Sequence, residues 1–78
     1  MIEGNIAIYP NPAKNDLQIQ MDTNQPYEVR VQNMLGQTLE NEHFSGNGEL
    51  SLSSYISGQY ILQIIQNERI TIKKFVKE

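Results

Sequence analysis

Apolar and polar residues alternate with a period of two through almost every run of this chain, and no apolar stripe of helical spacing persists for ten residues. Alternation of that kind puts successive side chains on opposite faces of an extended backbone. The chain is therefore constrained to strands that each have one face to bury. With 78 residues there is room for one domain with a thin core, because a chain of this size buries only about 60–65% of the surface its unfolded form exposes.

Seven candidate strands follow, at residues 6–9, 16–21, 27–34, 37–44, 49–53, 59–66 and 69–77. In the second, Leu17, Ile19 and Met21 oppose Gln18, Gln20 and Asp22; in the third, Tyr27, Val29 and Val31 oppose Glu28, Arg30 and Gln32. The sixth carries Tyr60, Leu62 and Ile64 on one face and Ile61 and Ile65 on the other, the pattern of a strand covered on both sides. The stretches "LGQ", "SGNG", "ISG" and "QNER" supply Gly or Asn where the chain must turn. Short strands so punctuated predict an all-β fold, a seven-stranded antiparallel two-sheet sandwich of the immunoglobulin-like kind. Its expected interior is Leu17, Ile19, Val29, Val31, Leu50, Leu52, Tyr60, Leu62, Ile64, Ile70 and Ile72.

Two prolines stand in "YPNP", where the first strand should be pairing. Proline has no ladder donor, so Pro10 and Pro12 are expected at a sheet edge or in a turn carrying the chain between sheets, with "PNPAKND" a rigid corner between the first two strands. The parity break between Ile72 and Phe75 predicts a bulge or strand end near Lys73 and Lys74 that turns the tail outward.

Composition removes several functions. The net charge of -3 argues against nucleic acid as a partner, and no cysteine is present for a disulfide or a thiolate zinc site. The longest apolar run, "YILQII", is far below the roughly 20 residues of a membrane helix, so no membrane span is expected. "MIEGN" has neither a basic stretch nor an apolar one after it, so residues 1–5 read as a linker or expression remnant ahead of a domain at 6–78. The charge is uneven: residues 1–68 carry a balance of -6, whereas residues 69–78, with Arg69, Lys73, Lys74 and Lys77, carry +3.

Catalytic and metal-binding constellations are weak. His43 with Asp16 or Asp22 and Ser53 or Ser54 lacks the tight elbow and oxyanion hole of a hydrolytic triad. In "ENEH", Glu40 and Glu42 share a strand face from which His43 is excluded, and in the loop beginning "DTN" Asn33 stands where a calcium loop needs its bidentate Glu. Tyr9, Tyr27, Tyr55 and Tyr60 could stack on sugar rings, but Tyr27 and Tyr60 fall at inward phases. No enzymatic activity and no cofactor are expected.

With "YPNPAKNDLQI", "VQNMLGQTL", "LSSYISGQYILQI" and "KKFVK" in this order over residues 6–77, the chain resembles the type A C-terminal sorting domain of proteins exported by the type IX (Por) secretion system of Bacteroidota. The matching motif residues are Pro10, Asn11 and Pro12, Gly36 and Gln37, Gly58 and Tyr60, and Lys73, Lys74, Phe75, Val76 and Lys77. The resemblance implies a label on a larger cargo protein, whose cargo domain lies outside this chain. It implies as partners the outer-membrane type IX translocon with its shuttle proteins, and a surface cysteine peptidase of the sortase type that removes the domain. The implied location is the periplasm in transit, then the outer-membrane surface or the extracellular space. The basic last strand is expected to dock on an acidic or edge-presenting surface of that machinery, so that deleting residues 73–78 would abolish export and spare most of the stability. Two rival readings are a carbohydrate-binding or adhesive sandwich and a passive immunoglobulin-like spacer.

Overall fold

The computed structural model describes residues 6–78, so the expectation of a linker at 1–5 lies outside the described residues. The strands are β1 (Ile6–Tyr9), β2 (Asp16–Met21), β3 (Pro26–Gln32), β4 (Thr38–Ser45), β5 (Gly48–Ser51), β6 (Gly58–Gln66) and β7 (Arg69–Lys77). They form a three-stranded sheet in the order β1-β2-β5 and a four-stranded sheet in the order β4-β3-β6-β7, with every strand pair antiparallel. The molecule is an all-β, two-sheet sandwich of the immunoglobulin-like kind, as the alternation predicts.

The core lies between the sheets and consists of Leu17, Ile19 and Met21 of β2, Tyr27, Val29 and Val31 of β3, Leu50 of β5, Tyr60, Leu62 and Ile64 of β6 and Phe75 of β7, with Ala13 and Leu52 from the connections. Each fully buried aliphatic or aromatic side chain contributes roughly 1.5–3 kcal/mol. At Gly48 the interior is crowded: a Cβ there would come within 2.8 Å of the Phe44 ring across the sandwich, so only glycine fits without displacing it.

Two expectations for the last strands are corrected. Ile70 and Ile72 are 58% and 60% exposed, while Phe75 is inside. The phase is fixed by the two-residue hairpin turn, where Asn67 and Glu68 adopt positive φ and set Gln66 opposite Arg69. From there the register runs without a break to Gly58 opposite Lys77, placing Phe75 beside inward-facing Tyr60 and Ile70 beside outward-facing Ile65. A one-residue slip would reverse every side chain. No bulge occurs at Lys73 and Lys74; the irregularity lies between β3 and β4, at Val31 and Gln32. Nor is β6 covered on both sides: Ile61 and Ile65 are only half-buried by their neighbours in the sheet, since neither face of the sandwich carries a further described layer.

Strand ends shift for local reasons. Asn33 and Met34 leave β3 because the Asn33 side-chain carbonyl accepts the N–H groups of Leu35 (2.9 Å) and Gln37 (3.0 Å), closing a turn in which Gly36 takes φ +86°. Gln37 belongs to that turn rather than to β4. Leu52 lies past the end of β5, buried, with its N–H donated to the Asn15 carbonyl at 2.7 Å.

Candidate functional site

β1 and β2 are neighbours in one sheet, so the proline corner between them does not carry the chain across the sandwich. It crosses by hydrogen bonds instead, along the outer edge of β7. The Asn11 side chain donates to the Lys74 carbonyl at 3.2 Å and accepts the Val76 N–H at 3.0 Å. The Ala13 N–H donates to the Val76 carbonyl at 2.8 Å, the Glu78 N–H donates to the Ala13 carbonyl at 2.8 Å, and Ala13 makes a parallel bridge with Lys77. An asparagine side chain offers an NH2 group to donate and a carbonyl to accept, as a backbone residue offers its N–H and C=O, so Asn11 substitutes for a strand residue. The flanking prolines, both preceded by cis peptide bonds, add no N–H groups that would need partners there. Pro10 and Pro12 also line an open groove of about 470 Å³ with Lys14, Asn15, Asp16, Gln18 and Glu78.

The tail is therefore pinned on both sides and not turned outward. On the core side the Phe75 ring stacks on Tyr60 (centroids 5.5 Å apart, planes 20° apart), and Tyr60 packs in turn on Tyr55 at 5.2 Å. The Tyr60 hydroxyl donates to the Ile56 carbonyl at 2.6 Å, fixing the loop ahead of Gly58. The expectation that residues 73–78 contribute little to stability fails on this geometry.

Topology brings the sequence motifs to one place. Gln32 pairs with Ile61 and Gly58 with Lys77, so the end of β3, the start of β6 and the end of β7 lie at the same end of the four-stranded sheet. The Gly36–Gln37 turn follows β3 there, Gly58 and Tyr60 open β6 there, and Asn11 with its prolines closes the outer edge there. Of the residues singled out from sequence, Phe75 and Tyr60 are core, Val76 is 38% exposed, and Lys74 points outward with Val76 while Lys73 and Lys77 lie on the inner phase at the sheet margin. Sequence reasoning missed Ala13, which is fully buried although flanked by exposed residues. Its position one residue after the second proline is the available signal.

Acidic groups collect on the opposite edge of the same sheet. Glu40 and Glu42 share one face of β4 with His43 on the other, as their spacing predicts, and that shared face is the inward phase, not a solvated one. The Tyr55 hydroxyl donates to Glu40 at 2.5 Å; burial first, and the Glu40 carboxylate second, hold that phenol well above its ordinary range. A hydrogen bond shared with Glu40 raises the Glu42 carboxyl, a proton being favoured between two neighbouring carboxylates. Glu28 is lowered by hydrogen bonds from Asn41 and then from Arg30, the latter an ion pair at 3.0 Å. Burial also raises the Tyr27 phenol, whose hydroxyl donates to the Gly46 carbonyl at 2.6 Å.

Among the described residues the catalytic and metal-binding candidates read from the sequence do not come together. His43 makes no side-chain hydrogen bond to Ser53 or Ser54, which lie beyond β5 in the other sheet, and no group of three potential metal ligands occurs among the described residues. Tyr27 and Tyr60 are buried and Tyr55 is engaged with Glu40, so the described tyrosines form no flat platform for a sugar. No described helix is long and apolar enough to cross a membrane.

The chain belongs to the secretion-system C-terminal sorting domain family, whose model matches residues 7–78. A search of curated proteins gives no match. Membership makes the domain a C-terminal secretion signal of the type IX system, which implies interaction with that machinery and export toward the cell surface or extracellular space. A sorting-signal family is consistent with a non-enzymatic role.

Proposed function

We infer that residues 6–78 are the sorting unit that takes a larger cargo through the outer-membrane type IX translocon, after passage through the periplasm, and that a surface sortase-type cysteine peptidase then removes the unit. The domain acts by being recognised while folded, with no catalytic centre and no cofactor, and residues 1–5 serve as linker to the cargo. One observation supports this reading beyond family membership. Pro10, Asn11, Pro12, Gly36, Gln37, Gly58, Tyr60 and Lys73 to Lys77 come from four separated segments, yet converge on one end of the β4-β3-β6-β7 sheet. Tyr60 and Phe75 hold that end together from inside, while Lys74, Val76 and the proline corner present it to a partner.

The test fuses residues 1–78 to a reporter bearing its own inner-membrane export signal, in a host with this translocon. The reporter is expected at the cell surface or in the medium, freed of the domain when the peptidase is present and still joined to it when the peptidase gene is deleted. Periplasmic retention of an intact, folded fusion overturns the sorting role. Release without removal in the peptidase-positive host overturns the processing step alone.

A further inference from the structure

The clamp covers only part of β7. Antiparallel pairing makes the backbone groups of alternate residues face the neighbouring strand and those between face away. Val76 and the Lys74 carbonyl face away from β6 and are taken by Asn11 and Ala13. The N–H and C=O groups of Ile70 and Ile72 and the Lys74 N–H face the same way, beyond the reach of the corner, and no described residue pairs with them. Beside this open edge Ile70 and Ile72 are 58% and 60% exposed, Ile70 opposite half-buried Ile65 and Ile72 opposite Gln63.

The other edges are treated differently. β1 and β5 are four residues long, and β4 turns Glu40 and Glu42 inward, a device that blocks strand addition. β7, with nine residues, is the long edge, and its inward-phase charges, Arg69 and Lys73, are basic where those of β4 are acidic, so they oppose a basic strand and admit an acidic one.

We propose that this half-edge, Ile70 to Lys74, receives an extended acidic segment of the export machinery as an added strand. The proposal rests on the sorting reading and supplies it with a mode of contact. The added strand bonds to the outward groups of Ile70, Ile72 and Lys74, and its apolar residues extend the Ile70 and Ile72 row. Its acidic residues fall on the other face, where Lys73 lies, and among the described residues Lys73 is engaged in no ion pair. Charge selects against a second copy of this chain, since two such edges would set both pairs of lysines along one seam.

The full domain, isotopically labelled, is titrated with a synthetic nine-residue peptide alternating valine and glutamate, and with its lysine-for-glutamate counterpart. Binding of the acidic peptide at least about tenfold tighter, with slowed exchange of the Ile70, Ile72 and Lys74 amides, is expected. Equal binding, no binding, or shifts confined to other strands overturns the proposal, as does a concentration-dependent dimer that buries the same amides. In the reporter assay, Ile72→Pro, which deletes an outward N–H, is expected to lower export about tenfold or more, while Ile72→Thr, which keeps it, stays within about threefold of wild type. Wild-type export by a folded Ile72→Pro fusion overturns the edge and leaves the sorting role intact. Failure of the unsubstituted fusion to leave the periplasm overturns the sorting role instead, and the titration then decides the edge alone; it decides likewise if Ile72→Pro does not fold.

Discussion

Replacing Phe75 with alanine tests the phase of β7, on which both the core and the exposed edge depend. The side chain is 1% exposed and stacks on Tyr60 at 5.5 Å, so its removal forfeits the transfer of a buried ring and leaves a cavity the rigid tyrosine pair cannot close. Phe→Ala changes at such sites cost about 3–5 kcal/mol. For a domain of this size, with a total stability of roughly 4–12 kcal/mol, that is about a quarter of the stability or more. At about 4–8 °C per kcal/mol the unfolding midpoint should fall by well over ten degrees. Ile72→Ala, at a 60% exposed position of the same strand, should cost less than about 1 kcal/mol. Urea unfolding followed by circular dichroism measures both. A small loss for Phe75→Ala with a large one for Ile72→Ala would show the strand facing the other way and refute the register argument.

Asn11→Ala removes both side-chain bonds to β7 and should cost about 1–3 kcal/mol in urea unfolding, with faster hydrogen exchange at the Val76 amide. Gly48→Ala should destabilise by about 1–3 kcal/mol through overlap with Phe44, and Phe44→Leu in the same chain should recover part of it, a coupling that a double-mutant cycle reads directly. The raised Glu42 carboxyl binds its proton more tightly in the folded than in the unfolded state, so this group favours folding at acid pH and its contribution is lost as pH rises through the folded value. Glu42→Gln should therefore raise the thermal midpoint near neutral pH and change it little at about pH 3, where the Glu42 carboxyl is protonated in the folded and the unfolded chain alike. Glu28 has the opposite sign: its lowered carboxyl supports folding above the ordinary Glu range and that support is lost as pH falls through the folded value, so Glu28→Gln should destabilise near neutral pH.

Alternation made β2, β3 and the inward face of β6 legible, because each has a single apolar row and hence one phase that buries it. On β7 the same rule points the wrong way: Ile70, Ile72 and Val76 outnumber Phe75, and the deciding constraint is the register set by Asn67 and Glu68 together with the partner ring of Tyr60. Half of the site was readable too. The prolines mark an edge, as their missing N–H groups require, but the residues Asn11 reaches lie 63 and 65 positions away, a pairing that only the closed sandwich creates. Glu40 and Glu42 show their shared face in the spacing, whereas the Tyr55 hydroxyl that binds Glu40 comes from a loop whose path depends on Tyr60 and Leu52.

Direct binding to the purified type IX translocon tests the central claim, that this folded domain is itself the feature the machinery recognises. Saturable binding by the intact domain is predicted, weakened by Asn11→Ala and lost when the Phe75→Ala domain is taken past its lowered unfolding midpoint. Binding no stronger than that of an unrelated β-sandwich of equal net charge, or undiminished for the unfolded variant, would contradict it.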